Sequence, residues 1–196
     1  MNIIKRKGGN ISDEMVSSAV EVLKNGGIVV LPADTCYGIS CAISNKEAVR
    51  KLFDIKEREH NKPVSIALDF SMLKDYVDIN EIQEEKIKKL FPGRYTVIVK
   101  KKDSVGEFIT GGMEKVGVRI MDDELHQRII EALGEPIVTT SANLAGRVVK
   151  YDSLDVIQEL DNDKIDLIFD YGKIEKNDPS KVIVIDEEGN EEVLRV

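Results

Sequence analysis

The stretch Ile28-Val29-Val30-Leu31 constrains this chain most. Four consecutive apolar residues, three of them β-branched, read as a short strand buried on both faces. Such a strand points to an α/β sheet. Pro32 has no N–H to give a ladder, so the strand is expected to stop there. Asp34, Thr35, Cys36, Tyr37 and Gly38 follow, a run of groups able to meet a polar ligand. In open α/β sheets ligands lie beyond the carboxyl ends of strands. The segment reads either as a binding loop or as an ordinary strand-to-helix turn.

The rest of the chain alternates between the two periodicities. Ile3-Ile4 starts a strand, and Ser12 caps a helix whose first turn carries Asp13 and Glu14, favoured there by the helix dipole. Met15, Val16, Ala19, Val20 and Leu23 form its apolar stripe, and Gly26-Gly27 stops it. Ser44 to Glu47 matches a capping box for a helix that turns Ala48, Val49, Leu52 and Phe53 to the core. Strands are expected over 64–68, 95–99, 116–120, 137–141, 167–169, 182–185 and 193–196. Further helical segments are expected at 71–76, from Asn80 to about Phe91, after Asp122 or Asp123, and over 153–160. Residues 108–112 read as a glycine-containing loop, and 142–146 as a second polar loop at a strand's carboxyl end. His126 is expected on the exposed part of its helix.

With 196 residues the chain suits one domain with a full core. Its net charge of −8 argues against a protein whose main task is coating nucleic acid. The window 46–62 runs the other way. Lys46, Arg50, Lys51, Lys56, Arg58 and Lys62 outnumber Glu47, Asp54, Glu57 and Glu59. That distribution fits an anionic ligand of modest size. Lys56, Arg58 and Lys62 sit where a helix runs out, either as a provision for phosphate oxygens or as a solvated cationic face. Arg119 alternates with apolar neighbours in a strand, so it is either ion-paired or holding an anionic ligand. Gly117, in the same strand, suggests a close approach by something.

Several chemistries lack their residues. There is no GxxxxGK[ST], GxGxxG or GxSxG. His60 and His126 lack metal-ligand spacing, and Cys36 and Cys41 form no CxxC, which indicates neither zinc nor a disulfide framework. Cys36 reads either as a packed free thiol or as a nucleophile for which no residue pattern supplies a base. No apolar run is long enough for a membrane span, and the N-terminus lacks the apolar core of a secretory signal. The expected compartment is the cytoplasm.

Taken together, the motifs resemble the YrdC-like family. Pro32-Ala33-Asp34-Thr35-Cys36-Tyr37-Gly38 resembles its P-T-[DE]-T-x-Y-G signature, Lys56-Glu57-Arg58 its K-x-R, and Pro92-Gly93-Arg94-Tyr95-Thr96 its P-G-x-x-T. Val116-Gly117-Val118-Arg119 resembles its V-[AG]-[VI]-R, and Thr140 to Gly146 its [TP]-S-A-N-x-S-G. Pro179-Ser180 and Leu194-Arg195 fall near its P-S-T and late L-R. The elements occur in family order across nearly the whole chain. Ala33, Ala145 and Lys181 stand where the family has threonine, serine and threonine. Glu59 stands where many synthases have proline, and Ala67 where some have histidine.

The resemblance implies an α/β fold, a twisted mixed sheet with flanking helices around a basic concave cleft, as a single domain over 1–196 with no additional C-terminal domain. It implies a threonylcarbamoyl-AMP synthase joining L-threonine, bicarbonate and ATP, with Mg²⁺, into threonylcarbamoyl-adenylate and pyrophosphate for tRNA modification. Downstream threonylcarbamoyl-transfer proteins would be partners. The alternative on the same fold is a non-catalytic module binding double-stranded RNA or the ribosome. By the same resemblance, Lys56 and Arg58 are the catalytic pair. Lys56, Arg58, Lys62, Ser141, Asn143 and Arg195 would hold ATP, and Thr35, Tyr37, Arg119 and Ser180 would hold threonine. No protein metal ligands are implied. The segments 34–38, 56–63 and 141–146 are expected to converge on one cleft.

Overall fold

The computed structural model describes residues 1–5 and 10–195. The chain opens with β1 (Asn2–Lys5), α1 (Asp13–Lys24), β2 (Val29–Pro32) and β3 (Tyr37–Ala42). Next come α2 (Lys46–Ile55), β4 (Ile66–Ala67), α3 (Leu73–Tyr76) and α4 (Glu81–Leu90). The middle of the chain holds β5 (Tyr95–Lys100), α5 (Glu107–Thr110), β6 (Lys115–Arg119), α6 (Glu124–Leu133) and β7 (Ile137–Ser141). It closes with α7 (Ser153–Glu159), β8 (Leu167–Asp170), β9 (Lys181–Ile185) and β10 (Glu191–Arg195). Val196, the expected end of the last strand, lies outside the described residues.

The strands form one mixed sheet in the order β1-β8-β2-β3-β7-β4-β6-β5-β9-β10. β1 and β2 are both parallel to β8, which lies between them. β2, β3, β7 and β4 run antiparallel in turn, and β5 is antiparallel to β6 but parallel to β9.

The alternation along each strand assigns its faces. Ile28, Val30, Ile39, Ile66, Val97, Val118 and Ile183 enter one core, which α2 covers with Ala48, Val49, Leu52 and Phe53. Val29, Leu31, Ala42, Ala67, Ile137, Leu167 and Phe169 enter the other, packed with the stripes of α1 and α6. The run 28–31 is indeed buried on both faces, every residue fully shielded from solvent. On this second face the helices stop short. Beyond β7 the same face carries Thr96 and Ile98 of β5, Gly117 and Arg119 of β6, and Val182 and Val184 of β9, which line a cavity.

Several local expectations are corrected. The polar stretch after Pro32 is the tip of a hairpin, because Tyr37 and Gly38 begin β3 and pair back onto Pro32 and Leu31. Asn45, not Ser44, caps α2 by accepting from the Ala48 N–H, while Ser44 bonds the Glu135 carboxylate. The strand expected over 64–68 shrinks to two residues. Residues 107–110 form a helical turn ended by Gly111 in the left-handed region, φ 62°. His126 is fully buried: it sits one turn before Ile129 and Ile130, on the apolar stripe of α6, with Nδ1 2.6 Å from Asp123 Oδ1.

The α1–α6 layer should carry much of the stability. Leu23→Ala removes a fully buried side chain beneath it and is expected to cost about 2–5 kcal/mol. Ile3→Ala on the exposed edge strand should cost about 0.5 kcal/mol. Urea midpoints of the two variants check both.

Candidate active site

The second face of the sheet encloses a cavity of about 660 Å³. Thr35 and Cys36 enter from the β2–β3 hairpin, Arg58 and Pro63 from the segment after α2, and Ser141 from the end of β7. The three expected segments therefore meet. Asn177, Pro179 and Ser180 close one side, and Leu194 and Arg195 of β10 form another wall. Gly117 keeps the floor low: a Cβ there would come within 2.9 Å of Ser65 Oγ and 3.0 Å of Thr96 Cγ2.

The charges inside are of one sign. Arg58, Lys115, Arg119 and Arg195 line the cavity, and among the described residues no carboxylate-bearing side chain does. The protein around it carries a net charge of −8. A concave low-dielectric wall lined by one sign of charge focuses its field, so a small anion is drawn into it.

Local backbone geometry aims these groups. α2 ends in a Schellman motif: Arg58 N–H donates to Phe53 O at 2.9 Å and Glu57 N–H to Asp54 O at 3.1 Å. Glu57 takes the left-handed position, φ 50°, that glycine usually fills. The turn sends the side chains of its two neighbours to different places. Lys56 goes inward, 2% exposed, and its ammonium donates to the carbonyl oxygens of Ser141 and, at 2.7 Å, Asn143. Burial, with Arg58 nearby, pulls its pKa down to about 8. Arg58 goes to the cavity, its guanidinium 5.7 Å from the Phe53 ring centroid and Nη2 donating to Pro63 O at 2.6 Å. Partial burial lowers its pKa too.

The loop after β7 is fixed from within. Ala145 N–H donates to Lys56 O, and Leu144 N–H to the Glu159 carboxylate, which also meets Lys150 Nζ at 2.6 Å. The Asn143 amide donates to the carbonyls of Leu144 and Arg147, both at 2.8 Å. Asn143 thus shapes the loop that presents Ser141 and does not itself line the cavity. Across from it, the Ser180 hydroxyl lies 3.0 Å from Thr96 Oγ1, and Arg195 donates to Ser180 O and Oγ.

Of the residues singled out from the sequence, Thr35, Arg58, Arg119, Ser141, Ser180 and Arg195 share the cavity wall. Lys56 lies behind it. Lys62 is on the surface, 3.8 Å from Glu59. Tyr37 packs in the core, its hydroxyl donating to Gly172 O at 2.8 Å and accepting from Tyr171 N–H at 3.0 Å. Sequence reasoning passed over Lys115 and Asn177. Lys115 alternates with Gly117 and Arg119 and could have been found by that spacing; Asn177 sits in an irregular segment with no periodic signal.

Comparison with known proteins agrees with this arrangement. The Sua5_yciO_yrdC family model, described as telomere recombination, matches residues 21–196. The chain belongs to the Sua5/YciO/YrdC family. A Methanocaldococcus jannaschii relative, provisionally called a threonylcarbamoyl-AMP synthase, is 35% identical over 91% of this chain and 86% of its own length. A Vibrio vulnificus protein named threonylcarbamoyl-AMP synthase is 30% identical over 85% of this chain and 91% of its own. Among solved structures, P. abyssi Sua5 complexed with L-threonine has a TM-score of 0.88 at 28% identity, covering 99% of this chain. This chain spans 56% of the length of that Sua5 protein. E. coli YciO has a TM-score of 0.86 at 26% identity, over 99% of this chain and 93% of its own.

Two outcomes follow from the turn at 56–58. Glu57→Gly relieves the left-handed strain and should stabilise the protein by about 0.5–1 kcal/mol net of the freedom glycine adds to the unfolded chain, read as a higher urea midpoint. Lys56 has a folded pKa of about 8 against its usual 10.5, so the folded state carries the cost of the buried charge in full below about pH 8. Above that the unfolded chain binds more protons, and stability rises with pH towards 10.5 at up to about 1.4 kcal/mol per unit. The unfolding free energy of wild type minus that of Lys56→Met should be flat below about pH 8 and climb above it. A difference that stays flat to about pH 10 contradicts the assignment.

Proposed function

We propose that this protein is a threonylcarbamoyl-AMP synthase, joining L-threonine, bicarbonate and ATP into threonylcarbamoyl-adenylate and pyrophosphate. The observation that carries the reading is a cavity large enough for a nucleotide and an amino acid, lined by four cations and several hydroxyls inside an acidic protein. The synthase names of relatives that align along most of the chain support it. The adenylate would be consumed in threonylcarbamoyl transfer to tRNA. Among the described residues no helix is long and apolar enough to cross a membrane. A cytoplasmic location is part of this proposal. One domain, built on the sheet described above, carries the site.

The reaction asks for positioning and charge stabilisation more than for a nucleophilic side chain. The amine of threonine takes up bicarbonate with loss of water to give a carbamate. A carbamate oxygen then bonds to the α-phosphorus of ATP as the bond to the bridging oxygen of the β-phosphate breaks, and pyrophosphate leaves. Negative charge builds on the α-phosphate oxygens and the leaving group. Arg58 is aimed where that charge develops, with Arg195 against the nucleotide. Lys56 serves from behind the wall by fixing the Ser141–Asn143 backbone, and Ser141 faces the nucleotide. Arg119 takes the carboxylate of threonine, with the hydroxyls of Thr35 and Ser180 lining its pocket. The cavity wall offers hydroxyls and cations and no carboxylate, so these residues do not build a magnesium site; Mg²⁺ would enter chelated by the ATP phosphates, and no step here depends on it.

Pyrophosphate release from ATP by the purified protein should require both threonine and bicarbonate. Arg58→Ala should lower the rate at saturating ATP at least about tenfold, on the order of 1.4 kcal/mol of transition-state stabilisation, with Arg58→Lys recovering part. Release that ignores threonine, or an Arg58→Ala variant as fast as wild type, overturns the assignment.

A further inference from the structure

The cations of the cavity differ in what they are bonded to. Arg58 donates to the Pro63 carbonyl, and Arg195 to the carbonyl and hydroxyl of Ser180. Neither they nor Lys115 meets a carboxylate among the described residues. Arg119 does. Its Nη2 lies 3.0 Å from Asp34 Oδ1, with only 13% and 11% of the two side chains exposed.

The pair uses one prong of the guanidinium. Arg119 Nε and Asp34 Oδ2 are shut off from solvent with no partner. Nη1 makes no hydrogen bond among the described residues and is not shut off, and it belongs to a side chain that lines the cavity. Asp34 is itself held in place. It sits at the tip of the β2–β3 hairpin, which Ala33 N–H closes by donating to Cys36 O at 3.1 Å. Asn177 Nδ2 donates to the Asp34 carbonyl at 3.0 Å, tying the tip to the segment that carries Ser180. The carboxylate thus approaches Arg119 from a fixed point outside the cavity lining.

We propose that Asp34 is a positioning and specificity residue: it orients Arg119 by one prong and cancels its charge, so that this end of the cavity accepts a single carboxylate and repels polyphosphate. A planar fork held on one side presents its remaining N–H groups in one direction, which suits a carboxylate better than a freely rotating cation does. Polyphosphate carries several negative charges and would meet the Asp34 carboxylate as well as Arg119, whereas Arg58 and Arg195 offer it uncompensated positive charge. The two substrates are sorted by the presence or absence of an acid behind the arginine, a repulsive element built in beside the attractive one. The identity of the carboxylate as threonine rests on the synthase reading; the sorting of charge does not.

The test uses the purified full chain, titrated calorimetrically with L-threonine and, separately, with inorganic pyrophosphate, alongside melting temperatures. Asp34→Asn is expected to weaken threonine at least about tenfold and to tighten pyrophosphate at least about threefold, because the amide leaves Arg119 its charge. Adding Arg119→Met to Asp34→Asn should abolish the gain in pyrophosphate. Asp34→Glu, which keeps the acid, should keep the wild-type preference. In turnover, Asp34→Asn should raise the KM for threonine far more than it lowers kcat. Should Asp34→Asn fail to fold, the double variant Asp34→Asn/Arg119→Met, which removes both charges and leaves no buried orphan, decides: threonine binding is lost while pyrophosphate affinity stays within about twofold of wild type, and a larger fall in pyrophosphate affinity overturns the cancelling of charge. A merely structural role for Asp34 would weaken both ligands together, and that result, or an unchanged pyrophosphate affinity in Asp34→Asn, overturns the proposal. If wild type neither binds threonine nor releases pyrophosphate from ATP with threonine and bicarbonate, the synthase reading fails, and the pyrophosphate titrations still decide the role of Asp34.

Discussion

A sheet of ten strands has two broad faces, and on the second of them the core under α1 and α6 runs from β1 only as far as Ala67 of β4. That shortfall shapes everything else. Beyond Ala67 the face becomes a cavity wall in which Ile98, Val182 and Val184 are interspersed with polar groups. Where β2 shows Val29 and Leu31 to this face, β6 shows Gly117 and Arg119 and β5 shows Thr96. The opposite face of the same strands keeps Val97, Val99, Val116 and Val118 in a closed core. One face is therefore rigid packing, and the other is a bay whose rim is supplied by loops.

What fixes the rim is a buried ammonium. Lys56 holds two carbonyl oxygens of the loop after β7, and that loop returns the favour by donating Ala145 N–H to the Lys56 carbonyl. Taking a lysine out of water is costly unless it is hydrogen-bonded. Here the cost is offset by two hydrogen bonds from the ammonium, to the Asn143 carbonyl and to the Ser141 carbonyl, which also accepts from Asn143 N–H. The result couples the end of α2, which aims Arg58, to the end of β7, which presents Ser141. A shift at either place would be felt at the other, because a charge-assisted pair of hydrogen bonds does not stretch far before it is lost.

The large features were legible in the sequence, and the reasons for the misses are physical. Ile28 to Leu31 has one reading, and both faces are buried as that reading requires. Pro32 was expected to end the strand, and it is the last residue of β2, paired with Tyr37. It is tolerated because β8 pairs with β2 only at Val29 and Val30, so no ladder on that side needs a proline N–H. β3, with Gly38, Ser40 and Ala42, has little strand propensity of its own and is held by its two neighbours. His126 was judged by its polarity, although its spacing to Ile129 and Ile130 placed it on the buried stripe; Asp123 makes that burial tolerable. For Arg119 the sequence left two alternatives, a carboxylate partner or an anionic ligand, and the fold supplies the first while leaving a prong for the second. Asn177 carried no pattern at all, since an irregular segment has no period to read.

The wall that carries Leu194 and Arg195 is β10, which pairs only with β9, and β9 reaches the rest of the sheet only through β5. Seen from the ribosome, this is a matter of timing. The hairpin that carries Thr35 emerges early, and so does the turn that aims Arg58. The cavity has no third side until residues up to 195 have left the exit tunnel and β9 has docked beside β5. β2 likewise waits for β8, some 138 residues later in the chain, as the bond from Ile28 N–H to the Asp166 carboxylate measures. Pairings this distant in sequence form slowly because the loop must close before they contribute. A nascent chain would thus display half of a cationic bay well before the bay is walled in by β9 and β10.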